Sequence, residues 1–298
     1  MTLSDQTSPE RRDQAAEARG ALPNLIVIGA QKCGTTALHS YLALHPEIAM
    51  SKPKELDFFI VGGYGRWDRG EAWYRERFDP RAPVRGEASP NYTAYPAHEG
   101  VPARMHALVP DAKLIYIVRD PIERIAAHWM HEQATGRHRG PLRETLLDPH
   151  DAYIPRSMYA MQLEQFLEYY PLERILVLEQ NDLRLRREAT MRRVYEFAGV
   201  DPDFTHPMFR REWHRTRRKT RPTALGRAME RIRRRGGRRV LPPVFWTTLR
   251  GMWPMGVRIK KPDVRSALDQ DVIERLREDA RRFERLVGRE FPDWSLWR

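Results

Sequence analysis

The stretch IVIGAQKCGTT, Ile26 to Thr36, limits what this chain can fold into more than any other part of it. Asn24 to Gly29 (NLIVIG) is a short apolar run rich in β-branched residues, which reads as a strand buried on both faces, the kind used in parallel sheets. From Thr35 onward, TTALHSYLALHP puts Ala37, Leu38, Tyr41 and Leu42 on one helical face, and Pro46 helps to end the helix. A strand that passes through a glycine-bearing turn into a helix points several backbone N–H groups and a positive dipole end at one spot. Such a spot binds anions. A glycine in a βα turn is common to α/β proteins in general. A lysine, a glycine and two threonines packed at the helix entrance point further, to an anion.

The loop nearly matches a phosphate-binding G-x-x-x-x-G-K-[ST] motif. Gly29 and Gly34 have the spacing of its two glycines, and Thr36 falls on the Ser/Thr place. The lysine is displaced: Thr35 follows Gly34, and Lys32 lies inside the loop. Gly34 permits close approach of an anion, Thr35 and Thr36 add hydroxyl donors, and Lys32 adds a point charge.

Further strands and helices alternate along the chain. Val84 to Glu87 (VRGE) reads as a second strand and Ala112 to Asp120 (AKLIYIVRD) as a strong one. PIERIAAHWMHEQ follows as a helix with Pro121 at its first position. Ser157 to Pro171 reads as a long amphipathic helix, Arg174 to Leu183 as another strand, and Leu185 to Val200 as a helix stopped at Gly199. The alternation predicts an α/β, P-loop-like three-layer fold with a central parallel sheet flanked by helices, plus a helical C-terminal portion. Residues 1–22 read as a disordered tail and 23–298 as one domain, with a basic, aromatic helical insertion at about 210–262.

Composition narrows the setting. Cys33 is the only cysteine, so an internal disulfide and a cysteine-cluster zinc site are both excluded, which fits a reducing cytoplasm. No apolar run is long enough to span a bilayer, so a cytoplasmic protein is expected. The net charge of +12 favours anionic partners: phosphorylated cofactors, acidic sugars, anionic membrane or nucleic acid. The absence of zinc-finger spacing and of RNP-like aromatics argues against nucleic acid. An arginine-rich surface without a partner would account for much of the same excess.

The order of motifs resembles the sulfotransferases that use 3′-phosphoadenosine 5′-phosphosulfate, in the branch of the heparan sulfate N- and O-sulfotransferases and their bacterial relatives. The resemblance rests on IVIGAQKCGTTALHSYLALHPEIAMSKPKELDFF, GEASPNY (Gly86 to Tyr92), IVRDPIERIAAHW (Ile117 to Trp129), SMYAMQLEQFLEYYP, LVLEQNDL and the C-terminal VIERLREDARRFERLVGREFPDW. It implies a loop wrapped around the 5′-phosphosulfate, with Lys32 at the bridging oxygen and Cys33, Gly34, Thr35 and Thr36 around it, and no metal. Charge that grows on a departing phosphate would then meet a fixed cation.

The resemblance implies that Glu55, in SKPKELDFF, is the general base. Burial beside Phe58 and Phe59 would raise its pKa, whereas Lys52 and Lys54 would lower it. A surface turn is what that stretch alone would indicate. Asp57 stands where some sugar-sulfating relatives have histidine. His98, His106, His128 and His131 are rival bases. Arg119 corresponds to the arginine that binds the 3′-phosphate, where its planar fork suits a bidentate contact; a capping ion pair with Asp120 or Glu123 is its plain structural alternative. The serine that accompanies this arginine eight residues on is Ala127 here. Ala88 follows Glu87 where animal O-sulfotransferases often have lysine. Glu87 and Ser89 would shape the acceptor cleft, or Ser89-Pro90-Asn91 would simply form a turn.

Lys219 and Arg221, in the basic HRTRRKTRP, match a loop that closes over the nucleotide in relatives. Arginine-flanked TALGRAMERIRRR and the aromatics Phe245, Trp246 and Trp253 set two expectations: docking on the inner, anionic membrane surface, or packing on the main sheet. The expected acceptor is a carbohydrate, glycolipid or small metabolite. Two other classes stay open: a P-loop-type nucleotide kinase, and a non-catalytic anion-binding module.

Overall fold

The computed structural model describes residues 20–136, 140–148, 152–210, 220–222 and 256–298. Five parallel strands form the central sheet: β1 (Leu25–Gly29), β2 (Ile48–Met50), β3 (Val84–Ala88), β4 (Lys113–Val118) and β5 (Ile175–Glu179). Their spatial order is β2-β3-β1-β4-β5, so β1 lies at the centre and every connection crosses over. In β1 Leu25 pairs with Gly86 on one side and with Lys113 on the other. All five β1 residues are buried, as an unbroken apolar strand between two helical layers should be.

The helices on the sheet are α1 (Thr35–Leu42), α2 (Gly70–Arg75), α3 (Val101–Leu108), α4 (Pro121–Thr135), α5 (Leu142–Leu147), α6 (Tyr159–Leu167), α7 (Gln180–Leu185) and α8 (Arg187–Ala198). Helix α4 starts as its sequence demands: Pro121 needs no N–H partner, and the Asp120 carboxylate accepts from the Glu123 N–H. Helix α8 ends at Gly199, whose φ of 84° is the left-handed turn that glycine tolerates.

Three element boundaries differ from expectation. Ile48–Met50 is an additional strand, so VRGE belongs to the third strand; a three-residue run is too short to show a period. The helix expected from Ser157 to Pro171 is shorter, because Pro155–Ser157 is a 3₁₀ turn and Tyr170 turns inward to donate to the Val109 carbonyl. The strand expected to run to Leu183 stops at Glu179, where Gln180 begins α7.

Helix α10 (Gln270–Val287), preceded by the short α9 (Val264–Ala267), packs its apolar stripe of Ile273, Leu276, Ala280 and Phe283 against α6. Buried Asp279 on α10 accepts from the first N–H groups of α6, Ala160 and Met161, at 3.0 Å each. After α10 the chain returns to the sheet: Trp294 Nε1 donates to Glu179 at 3.0 Å, and the Ser295 N–H donates to Asp120. A two-stranded antiparallel ribbon, β6 (Thr220–Pro222) and β7 (Gly256–Arg258), lies against α4. Most of the expected tail and of the 210–262 insertion, including the aromatics at 245–253, lies outside the described residues. The chain is tied down from Ala21, whose N–H donates to the Arg75 carbonyl. Among the described residues no helix is long and apolar enough to cross a membrane.

Candidate active site

The carboxyl ends of β1, β3, β4 and β5 converge on one edge of the sheet, the place where open α/β sheets bind ligands. The loop after β1 is short and internally bonded. The Ala30 N–H donates to the Ile117 carbonyl at 2.7 Å, and the Cys33 N–H turns back to the Ala30 carbonyl at 3.1 Å. Lys32 has a φ of 71°, and Gly34, at the entrance of α1, has a φ of 104°. Gly34 caps α1 in a left-handed conformation that glycine tolerates without strain. A Cβ built at Gly34 would meet the Gln180 side chain at 3.4 Å, so the start of α7 stands directly beside the loop.

The loop residues face different ways. Cys33 is fully buried, with its Sγ 3.6 Å from the Tyr159 hydroxyl, and burial pushes its thiol pKa up. Both its N–H and its side chain are engaged inside the protein. Thr35 is buried and Thr36 half-buried. Tyr159 is fully buried.

Arg119 follows β4. One of its terminal nitrogens donates to the Lys32 carbonyl at 3.4 Å, and the other meets Glu123 at 3.4 Å. Its Nε is buried without a partner. The guanidinium thus lies beside the loop, bonded to the Lys32 carbonyl and to Glu123, with its Nε–H unpartnered. The ion pair with Glu123 expected as the alternative exists too, and Lys261 shares the same carboxylate. Ala127 is buried on α4.

Glu55 reaches this edge from the β2–β3 connection. Its N–H donates to the carbonyl of Ala88, the last residue of β3, at 3.2 Å. Its side chain is 45% exposed and meets the Lys54 ammonium at 2.5 Å. Burial begins only at the next residue, Leu56, and includes Phe58 and Phe59. Glu55 and Asp57 both have positive φ, 65° and 48°. Asp57 is buried, and desolvation raises its carboxyl above the usual aspartate range, opposed by a hydrogen bond from Asn91. His39, one turn into α1, sits in the fields of Lys54 and Glu55, and burial lowers its pKa.

Of the rival histidines, His106 packs against Tyr169 and Tyr170 at the far end of α3. His98 pairs with the Tyr64 hydroxyl. His128 is buried on α4 with its pKa well below 6.5, held down by burial and by Arg124, Arg156 and Lys32. It is neutral, and it lies close enough to Lys32 to feel its charge.

Two arginines that the sequence did not single out are buried here. Arg124 donates to Ser157 Oγ at 2.5 Å and to the Tyr153 carbonyl at 2.7 Å; burial lowers its pKa to about 10. Arg156 donates to Asn91 at 2.9 Å and sits in the fields of Tyr64 and Asp57. The spacing of Arg124 and His128, four residues apart on one face of α4, is the signal that pairs them. Lys219 lies outside the described residues; Arg221 lies on β6, whose backbone runs along α4.

A parallel sheet whose central strand feeds a glycine turn at a helix N-terminus, with an arginine after the neighbouring strand, is a P-loop-like α/β fold. The profile described as "Sulfotransferase domain" matches residues 22–217, and the chain belongs to that family. The human bifunctional heparan sulfate N-deacetylase/N-sulfotransferase 2 is 30% identical over 206 residues, covering 61% of this chain and 22% of that protein. The human N-deacetylase/N-sulfotransferase 3 is 31% identical over 206 residues, covering 62% and 23%. The chain thus spans about a fifth of the length of these curated relatives. The crystal structure of a sulfotransferase from Alicyclobacillus acidocaldarius superposes with a TM-score of 0.65 at 24% identity, over 92% of this chain and 99% of that one, and so shares its fold.

Proposed function

We propose that the chain moves a sulfuryl group from 3′-phosphoadenosine 5′-phosphosulfate to a hydroxyl or amine of a carbohydrate, glycolipid or small metabolite. One observation carries the reading: the anion loop with Lys32, the exposed carboxylate of Glu55 and the guanidinium of Arg119 are delivered to one sheet edge by three different strand ends. The nucleotide supplies an activated sulfuryl group. Lys32 and the α1 N-terminus hold positive charge where the departing phosphate becomes more negative. Arg119, with its unspent Nε–H, binds the 3′-phosphate. Glu55 takes the acceptor proton, for which its half-exposed position gives access. The carbohydrate class follows from the relatives, whose names record heparan sulfate as their substrate.

The test has two parts. Adenosine 3′,5′-bisphosphate should raise the melting temperature without magnesium; a strict requirement for ATP and magnesium would instead favour a kinase. Incubation with labelled donor and a cell extract should then label an acceptor. With the acceptor in hand, Glu55→Gln should lower turnover by about a hundredfold while nucleotide affinity stays nearly unchanged. Loss of nucleotide binding with surviving turnover would make Glu55 a structural residue.

A further inference from the structure

Glu87, the residue before the end of β3, is a fully buried carboxylate. No salt bridge to it occurs among the described residues; three hydroxyls serve it instead. Ser89 Oγ and the Tyr92 hydroxyl both donate to its Oε1 at 2.6 Å, and the Tyr74 hydroxyl donates to Oε2. Two of those hydroxyls have a second task. Ser89 Oγ accepts from the Asp57 N–H at 3.0 Å, and the Tyr92 oxygen accepts from the Phe58 N–H at 2.9 Å.

A hydroxyl has one proton to give, so each one that donates to Glu87 turns its lone pairs toward the turn amide. Oε1 receives both, and a proton bound by Glu87 can sit on Oε2, facing Tyr74. The two arms therefore survive either protonation state. The turn they hold needs holding. Glu55 and Asp57 both lie in the left-handed region, which aspartate tolerates but glutamate keeps only where the surroundings enforce it. Arg66 grips the outer side of the same turn through the carbonyls of Glu55 and Leu56, at 3.2 and 2.6 Å.

We propose that Glu87 is a positioning residue: through Ser89 and Tyr92 it fixes the amides of Asp57 and Phe58, and so sets the strained turn that presents the Glu55 carboxylate to the acceptor. The catalytic consequence rests on the reading of Glu55 given above; the anchoring does not. Glu87 never touches substrate in this scheme.

Amide hydrogen exchange on the full chain tests the anchoring without any activity. Ser89→Ala should speed exchange at Asp57 by about tenfold, and Tyr92→Phe should do so at Phe58, because each leaves a buried N–H unpartnered. Glu87→Leu should expose both amides, whereas Glu87→Gln, which keeps an acceptor oxygen, should restore protection. If Glu87→Leu does not fold, the two single-arm variants still decide. Unchanged exchange at both amides in those variants overturns the proposal.

The catalytic arm is a double-mutant cycle. Ser89→Ala should lower kcat by about tenfold with the affinity for adenosine 3′,5′-bisphosphate unchanged, and should lower it by less than about twofold when Glu55 is already Gln. Equal losses in both backgrounds would overturn the link to Glu55. If the unaltered chain transfers no sulfuryl group at all, the proposed function fails, and the exchange results alone decide whether Glu87 sets the turn.

Discussion

Replacing Glu87 with glutamine should remove a pH dependence from the stability of this protein. Burial raises the Glu87 carboxyl from its ordinary 4.5 to about 7, and the hydrogen bonds from Ser89, Tyr74 and Tyr92 only partly oppose the rise. The unfolded chain therefore releases this proton first as pH rises. Between about pH 4.5 and about pH 7 the folded state binds more protons than the unfolded one, so stability falls with increasing pH. At roughly 1.4 kcal/mol for each unit, the shift to about 7 corresponds to about 3 kcal/mol lost once both states are ionised. Glu87 is fully buried, so solvent screening does not reduce that figure. Glutamine resembles the protonated acid and cannot ionise. The assay is denaturant unfolding of both proteins across this pH window. The difference between them should grow by roughly 2–3 kcal/mol in favour of the variant from about pH 5 to about pH 8. Parallel pH profiles would refute the argument. Asp279, raised to about 6 by burial, adds a fall of the same sign from about pH 3.8 to about pH 6 in both proteins, and it cancels in the difference.

Lys32→Ala should lower sulfuryl transfer by about a hundredfold or more with an unchanged melting temperature, since the residue lies on a loop at the sheet edge. Arg119→Ala should weaken adenosine 3′,5′-bisphosphate by about 2 kcal/mol while adenosine 5′-phosphate barely responds; calorimetric titration of both nucleotides decides. Gly29→Ala should destabilise by about 1–3 kcal/mol, because the added methyl would stand 1.9 Å from the Thr93 hydroxyl, which is itself buried. Shortening Thr93 to alanine in the same chain should recover part of that loss in a thermal melt.

The glycine turn after β1, the strong strand β4 and the helices after both were legible because each carries a local signal: a full apolar run, a proline at N1, a glycine at the turn. Lys32, Glu55 and Arg119 came from motifs that stand at the same strand ends in the fold. What escaped notice depends on contacts between distant segments. Nothing local says that Arg156 is buried, because its surroundings come from Tyr64 and Asn91, in other connections. The strand β2 was missed because three residues carry no period, and its identity is settled by pairing with β3. Ser89 and Glu87 read equally well as a cleft or as a turn; their hydroxyl chain to Asp57 crosses 32 residues. The environment of Glu55 was open for the same reason, since two lysines and two phenylalanines flank it and only the turn geometry chooses between them.

The return of the chain after α10 has a consequence for the order in which the protein is made. Asp120, next to Arg119, is bonded to the Ser295 amide 175 residues away, and Glu179 at the end of β5 is bonded to Trp294 across 115 residues. All five strands of the central sheet have been synthesised once Glu179 has emerged. The rim next to Arg119 must wait until Trp294 and Ser295 arrive, and closing so long a loop comes late because its entropy is lost before its contacts form. A nascent chain that has not yet reached Trp294 would hold an assembled sheet whose edge beside Arg119 is unfinished. Completion of the rim beside Arg119 therefore follows the arrival of Trp294 and Ser295 rather than the folding of the loop after β1.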